Sequence, residues 1–114
     1  ANNTEEENST IFLIKDYISR KYMDESLSVK DISEHVFLSA SYVCTFFKSE
    51  TGQTLNQYLT EYRMEKAKQL LKDGRFKISD ISSRVGYSDG NYFGKSFKKY
   101  SGLSPSEYRE KNLK

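Results

Sequence analysis

A chain of 114 residues has room for one domain or for two small subdomains that share a helix, and nine tyrosines and seven phenylalanines can fill a small core. The formal net charge is +2, and because Glu5, Glu6 and Glu7 lie in a polar leader, the rest of the chain is mildly basic, which suits a polyanionic partner without requiring one. The single cysteine excludes an internal disulfide. No apolar run is long enough to span a bilayer and no secretion signal is present, so we expect a cytoplasmic protein without a membrane segment.

The elements predicted in chain order are all helices, because no segment alternates polar and apolar residues as a strand does. Residues 1–8 are expected to be a polar linker or the remnant of a longer chain. A first helix starts after Ser9 or Thr10. Its apolar stripe at helical spacing comprises Ile11, Ile14, Ile18 and Tyr22. A short second helix begins after Ser28, with Asp31 at the capping-box position, and a third begins after Ser39 and stops at Gly52.

A long fourth helix is predicted from Thr54 and Gln57, which form a capping box, to about Lys72, a length of roughly 28 Å. The fifth helix covers 78–85, and the sixth covers 89–100 and is ended by Gly102. The seventh helix opens on a cap, a proline and a capping-box acid in the run Ser104-Pro105-Ser106-Glu107.

Two stretches of the chain recur in register. Residues 47–58 match residues 97–108 at an offset of 50, sharing Phe, Lys, Gly, a hydroxyl residue and Tyr. Residues 29–33 match residues 78–82 at an offset of 49. The one-residue change falls between two predicted helices, where a duplicated helix-turn-helix would tolerate it.

The repeat predicts an all-α fold of seven helices, with two helix-turn-helix subdomains joined by a long connecting helix. The predicted bounds are 9–53 and 74–114 for the subdomains and 54–73 for the connecting helix. Such helix pairs bind DNA by placing their second helix in the major groove. A single pair is more often plain helical packing, but two copies at a fixed offset favour DNA.

Residues 80–109 resemble, almost position by position, the signature of the AraC/XylS family of bacterial transcription regulators, and residues 63–71 resemble its connecting helix. The resemblance covers about residues 11–110. Ser33 and Ser82 depart from it, since the family usually has Ala there. The resemblance implies a DNA-binding output region, an upstream sensor or receiver domain outside this chain, contact with RNA polymerase, and no cofactor. It also implies transcriptional activation, although no residue here separates activation from repression. We expect the isolated domain to be monomeric.

By the same resemblance, the outward positions of the third and sixth helices face DNA bases. These positions are Ala40, Ser41, Cys44, Thr45, Gly90, Asn91, Gly94 and Lys95. An Asn91 amide can pair with adenine, and Lys95 can reach guanine O6 and N7. Other interpretations stay open, because Asn91 also fits an ordinary first-turn residue, Lys95 a solvated charge or a phosphate contact, and Cys44 a small half-buried residue.

Lys48 and Lys98, matched across the repeat, are the first candidates for contacts to phosphate, followed by Lys99 and by Ser39 at a helix start. An enzyme is disfavoured, because His35 is the one histidine and no catalytic triad, phosphate-binding glycine loop or metal-ligand cluster is present. No catalytic or metal site is therefore predicted. A protein-interaction module is the remaining alternative, and the salt dependence of binding separates it from a DNA reader.

Overall fold

In the computed structural model, the structure describes the backbone of residues 2–112 and the side chains of residues 9–112. Within that part, the protein consists of seven α-helices and no strand, which confirms the predicted fold class. The helices are α1 (Asn2–Lys21), α2 (Val29–His35), α3 (Ala40–Thr51), α4 (Leu55–Leu71), α5 (Ile78–Arg84), α6 (Gly90–Ser101) and α7 (Pro105–Asn112).

Helix α1 starts earlier than expected, at Asn2 rather than after Ser9 or Thr10. Residues 2–8 contain no Gly or Pro, so nothing in them breaks a helix that is already anchored by a buried stripe. The side chains of residues 1–8, predicted to be a polar linker, lie outside the described residues.

The buried part of the apolar stripe of α1 is shorter than predicted. Ile14 and Ile18 are fully buried, whereas Ile11 and Tyr22, at the two ends of the stripe, are half-buried. The helix therefore joins the core through Ile14 and Ile18, which lie one turn apart in its C-terminal half.

Two compact units make up the chain. One contains the residues up to Tyr22 together with Ser26–Leu59, and the other contains Met23–Glu25 together with the residues from Thr60 onward. Helix α4 runs through both, with its first five residues in the first unit. Each unit has a core of its own.

The core of the first unit is formed by α1, α2, α3 and the start of α4. Ile32, Val43 and Phe47 are buried with the α1 isoleucines, and Leu55 closes the core from α4. The Phe47 ring packs edge-on against Tyr58, with centroids 5.5 Å apart.

The core of the second unit contains a continuous row of aromatic rings. From Tyr87 to Phe93, from Phe93 to Phe97 and from Phe97 to Tyr108, the ring centroids lie 5.6, 5.9 and 5.4 Å apart. The edge-on pair of Phe97 and Tyr108 repeats that of Phe47 and Tyr58 at the offset of 50. The same unit also contains fully buried aliphatic residues, namely Met64, Ala67, Leu71, Ile81 and Val85.

The predicted capping boxes all form. The Ser28 hydroxyl accepts from the Asp31 amide at 3.3 Å, and the Asp31 carboxylate accepts from the Ser28 amide at 3.1 Å. Reciprocal bonds of 2.9–3.2 Å start α4 and α7, through Thr54 with Gln57 and Ser104 with Glu107. Helix α5 differs, since its cap residue Lys77 makes no side-chain capping bond.

Two arginines tie distant backbone segments of the second unit together. The Arg109 guanidinium donates to the carbonyls of Leu71, Asp73 and Phe76 at 2.6–3.1 Å, so α7 caps the end of α4 and the loop after it. Arg63, only 9% exposed, donates to the Asp24 carbonyl at 2.9 Å. Burial lowers the pKa of Arg63, although opposing charges partly offset that effect.

The turns between the paired helices have the same hydrogen bonds in both units. Leu38 N donates to Ser33 O at 3.0 Å, and Tyr87 N donates to Ser82 O at 2.9 Å. This is the bond of a Schellman turn, whose penultimate residue takes a left-handed conformation. Gly86 fills that place in the second unit with φ of 93°, whereas the first unit has Phe37 there with φ of 59°.

Replacing Phe37 by Gly is expected to stabilise the protein by about 0.5–1 kcal/mol, because a left-handed L-residue is strained by about 1–2 kcal/mol and glycine is not. Phe37 is 92% exposed, so little buried area is lost. Thermal unfolding followed by circular dichroism measures the change. In the second unit, replacing Gly86 by Ala should destabilise the protein. If both substitutions changed stability in the same direction, the shared turn geometry would be contradicted.

Candidate nucleic-acid interface

Helix α3 has one buried face and one exposed face. Val43 and Phe47 point into the core, with relative exposures of 0%. The opposite face carries four exposed residues at helical spacing, Ser41, Cys44, Thr45 and Lys48. The structure thus brings three predicted base-facing residues and one predicted phosphate contact onto a single face of one helix. Cys44 is a free, exposed thiol and not a half-buried residue.

Helix α6 repeats this division. Phe93 and Phe97 are 1% and 0% exposed, and the opposite face carries Asn91, Gly94, Lys95 and Lys98. Gly94 is half-exposed, and a Cβ added there would meet no atom within 4 Å. The absence of a side chain at Gly94 therefore has no cause in the packing of the unit itself.

The first residues of the two helices, Ala40 and Gly90, are exposed but lie at one edge of this face. A Cβ added to Gly90 would come within 3.9 Å of the Ser82 hydroxyl, which is ordinary van der Waals contact. Position 90 therefore points partly towards α5. Ser82 and Ser33, where the family usually has Ala, are buried, and their hydroxyls donate to the backbone carbonyls of Ser79 and Lys30.

The helix N-termini are capped from within the protein. The Ser39 hydroxyl accepts from Tyr42 N at 3.1 Å, and an Asp89 carboxylate oxygen accepts from Asn91 N at 2.9 Å. Ser88, one residue before Asp89, donates to the Glu25 carboxylate at 2.8 Å. Two carboxylates thus flank the start of α6, which makes it a poor site for phosphate.

The lysines matched across the repeat have different surroundings. Lys48 Nζ donates to Gly52 O at 3.0 Å, where the negative end of the α3 dipole also favours it. Lys98 lies near Glu107, whose pKa is lowered mainly by the Ser104 amide and hydroxyl and to a smaller extent by the Lys98 charge. Lys99 is exposed on the same turn. All three ammonium groups lie at solvent-facing positions from which they can reach an anionic partner.

Two exposed tyrosines on the same helices were missed from the sequence. Tyr42 is 53% exposed and Tyr92 is 62% exposed, and they match at the offset of 50. Neither tyrosine was assigned to the core or to the predicted DNA-facing set. The register of the repeat could have identified them, because it aligns the two tyrosines with each other at a position outside the residues predicted to be buried.

Other kinds of site find little support in the described part of the chain. Among residues 9–112, no three His, Cys, Asp or Glu side chains are close enough together to hold a metal ion. Searched over the same part of the chain, none of the helices combines the length and apolar character needed to span a bilayer.

Comparison with known proteins relates this architecture to regulators. A family profile described as "Helix-turn-helix domain" matches residues 32–111. The chain is 37% identical over 97 residues to the Msm operon regulatory protein of Streptococcus mutans, covering 85% of this chain and 34% of that protein.

Two solved structures share both fold and sequence with this chain. The C-terminal domain of the two-component response regulator yesN from Fusobacterium nucleatum is 37% identical with a TM-score of 0.82, covering 96% of this chain and 99% of that one. The C-terminal domain of AraT, a response regulator from Geobacillus stearothermophilus, is 32% identical with a TM-score of 0.89, covering 92% and 87%.

The matched profile begins at Ile32, within α2, and takes in the rest of the first helix-turn-helix pair and the whole of the second pair, α5–α6. The chain spans about a third of the length of the curated relatives it matches. It belongs to the AraC/XylS family of transcription regulators and carries that family's DNA-binding helix-turn-helix region.

Proposed function

We propose that α3 and α6 each lie in a major groove of double-stranded DNA and read its sequence. One observation carries this proposal: both helices bury an aromatic face and expose, at the same repeat positions, a face of small and hydrogen-bonding residues. The base-facing set is Ala40, Ser41, Cys44 and Thr45 on α3, with Gly90, Asn91, Gly94 and Lys95 on α6. The phosphate set is Ser39, Lys48, Lys98 and Lys99.

The side chains of α6 have the richer chemistry for discriminating bases. The Asn91 amide can donate to and accept from adenine N7 and N6, and Lys95 can donate to guanine O6 and N7. On α3, the Thr45 hydroxyl can bond a base edge while its methyl packs on a thymine methyl. The open space at Gly94 allows the helix backbone to approach the bases closely. We therefore assign most of the specificity to α6.

The proposed subdomains, 9–53 and 74–114 with the connecting segment 54–73, contact one duplex together. Two recognition helices on one face of DNA enter successive major grooves about 34 Å apart, so a monomer covers an asymmetric site of roughly two turns. If α4 holds the helices at another spacing, the DNA bends at a cost of about 1–6 kcal/mol.

The longer protein is proposed to work in the cytoplasm, with a sensor or receiver domain that controls this output region and a surface that contacts RNA polymerase. Its relatives include an operon regulator and response regulators, and the chain covers only about a third of the former. The chain itself has no proposed cofactor or catalytic role, and the isolated region is proposed to be monomeric.

The test starts from a duplex of about 25 base pairs, or two turns with flanks, selected from random sequence by the 114-residue chain. Asn91→Ala and Lys95→Ala should each weaken binding to that duplex by about 1–3 kcal/mol and relax the preference at one base pair. Competition with duplexes carrying single base changes measures both effects. Lys111→Ala on α7, which also removes one exposed lysine, is the control and should bind normally.

Salt provides the second arm of this test. With about six phosphate contacts, affinity should fall roughly a thousandfold between 50 and 200 mM salt. An affinity that is insensitive to salt would favour a protein-interaction module over the DNA-reading proposal. Base preferences that survive both α6 substitutions would overturn the assignment of base readout to Asn91 and Lys95.

A further inference from the structure

Tyr42 and Tyr92 have no role in the cores of their units or in the proposed base readout. They are 53% and 62% exposed, whereas the neighbouring Val43 and Phe93 are 0% and 1% exposed. Large aromatic side chains bury much apolar area when they can. Two tyrosines left half in solvent at the same place in both copies of the repeat therefore need an explanation other than folding.

Both tyrosines stand beside the proposed reading face. Tyr42 lies three residues before Thr45, and Tyr92 lies three residues before Lys95, so each pair is adjacent on the helix surface. Because both tyrosines are in the first turn of their helices, they flank the end that enters a groove first. Their rings are therefore placed towards a groove wall, which in DNA is formed by the sugar-phosphate backbone.

The two rings are supported from below. Tyr42 stacks on Phe46 with centroids 5.7 Å apart and planes 9° from parallel. Tyr92 packs edge-on against the buried Tyr87, also at 5.7 Å. A phenol has only two side-chain torsions, so such support holds its hydroxyl in place at low entropic cost. The supporting residues differ between the units, but the result is the same: an outward hydroxyl on a braced ring.

The hydroxyl groups are available for a partner. Tyr100 shows the contrasting case, because its hydroxyl donates to the Glu65 carboxylate at 2.7 Å. Among the described side chains of residues 9–112, none forms such a bond with the hydroxyl of Tyr42 or Tyr92. Tyrosine hydroxyls are among the side-chain groups that bond DNA phosphates.

We infer that Tyr42 and Tyr92 are a repeated pair of positioning residues, each donating its phenolic hydrogen to a DNA phosphate at the edge of the groove that its helix occupies. The inference rests on the proposed function, since it needs α3 and α6 in the grooves. It adds a neutral contact to the lysine contacts and fixes the rotation of each helix about its own axis.

The variants Tyr42→Phe and Tyr92→Phe test this, because they remove only the hydroxyl and keep the ring on its support. Each should weaken binding of the 114-residue chain to the selected duplex by roughly ten- to a hundredfold, the range for losing a hydrogen bond to a charged group. The slope of affinity against salt should not change, because a neutral donor displaces no counterion. Binding to an unrelated duplex should weaken by the same factor.

Tyr108→Phe is the matched control. Its ring packs edge-on against Phe97 in the core of the second unit, so the hydroxyl change should leave DNA affinity within twofold. Lys95→Ala, measured in parallel, separates the two proposals: if it weakens binding while both Phe variants bind normally, the tyrosine inference is overturned and the DNA-reading function stands. A loss seen only with the selected duplex would also overturn it, because the hydroxyl would then contact a base.

Discussion

The Phe97→Ala variant is expected to lose about 3–5 kcal/mol of unfolding free energy, the range for truncating a fully buried phenylalanine. Phe97 is 0% exposed and occupies the middle of the aromatic row between Phe93 and Tyr108. Truncation removes two ring contacts and leaves a cavity between α6 and α7. Small domains have only about 5–15 kcal/mol in total, so much of the stability of the second unit depends on this ring.

Urea denaturation followed by far-ultraviolet circular dichroism measures the change. Phe97→Leu, which fills most of the volume, should cost less than half as much, and Tyr92→Ala on the exposed side of the same helix should cost little. A loss below about 1 kcal/mol for Phe97→Ala would mean that the row does not form the core described above.

Reversing both matched lysine charges, Lys48→Glu with Lys98→Glu, should weaken DNA binding by at least about a hundredfold at moderate salt. Each change removes one phosphate contact and places a negative charge where a phosphate would lie. The slope of log affinity against log salt should fall by about 1.8, since each phosphate contact contributes about 0.9. Binding measured at several salt concentrations gives both quantities.

Stability must be followed alongside affinity, because Lys48 also donates to Gly52 O at the end of α3. An acid at that helix end is unfavourable by about 0.3–1 kcal/mol, which is far too little to unfold the chain. Lys111→Glu supplies the charge change of one of the two substitutions, away from both recognition helices. If it weakens binding as much as the paired variant does, the effect reports overall charge and the two lysines are not phosphate contacts.

The features predicted well from the sequence are those set by neighbouring residues. The capping boxes at Ser28, Thr54 and Ser104 need only a hydroxyl and an acid or amide three residues later, so the pattern itself specifies the bonds. The ends of α3 and α6 at glycines followed for the same reason, and both glycines are left-handed. The repeat then extended each local prediction to its second copy.

The features missed depend on residues far apart or on weak signals. No pattern in the sequence predicts the hydrogen bonds from Arg109 to backbone carbonyls 33–38 residues away. The left-handed Phe37 could have been found only by aligning it with Gly86, because a phenylalanine is not a turn residue. The early start of α1 was missed because its polar first turns have no apolar stripe.

The proposed interface was predictable in part. Once Val43, Phe47, Phe93 and Phe97 are placed inside, the period of the helix determines which residues face outward, and the structure exposes them as expected. The helix period does not predict the cap at the start of α6. There the Asp89 carboxylate accepts from Asn91 N, and its position depends on the local geometry of the turn. Which exposed residue contacts a base or a phosphate stays a prediction.

Helix α4 is divided unevenly between the two units, and the units therefore differ in their ability to fold alone. Of its 17 residues, five (Leu55–Leu59) serve the first unit and twelve (Thr60–Leu71) serve the second. Five residues cannot persist as a helix in water without support, whereas twelve packed residues with their own core contacts can. During synthesis the N-terminal unit emerges first, but its segment of α4 is not stable until the second unit has folded. We therefore expect the C-terminal unit to fold first and the N-terminal unit to fold after it.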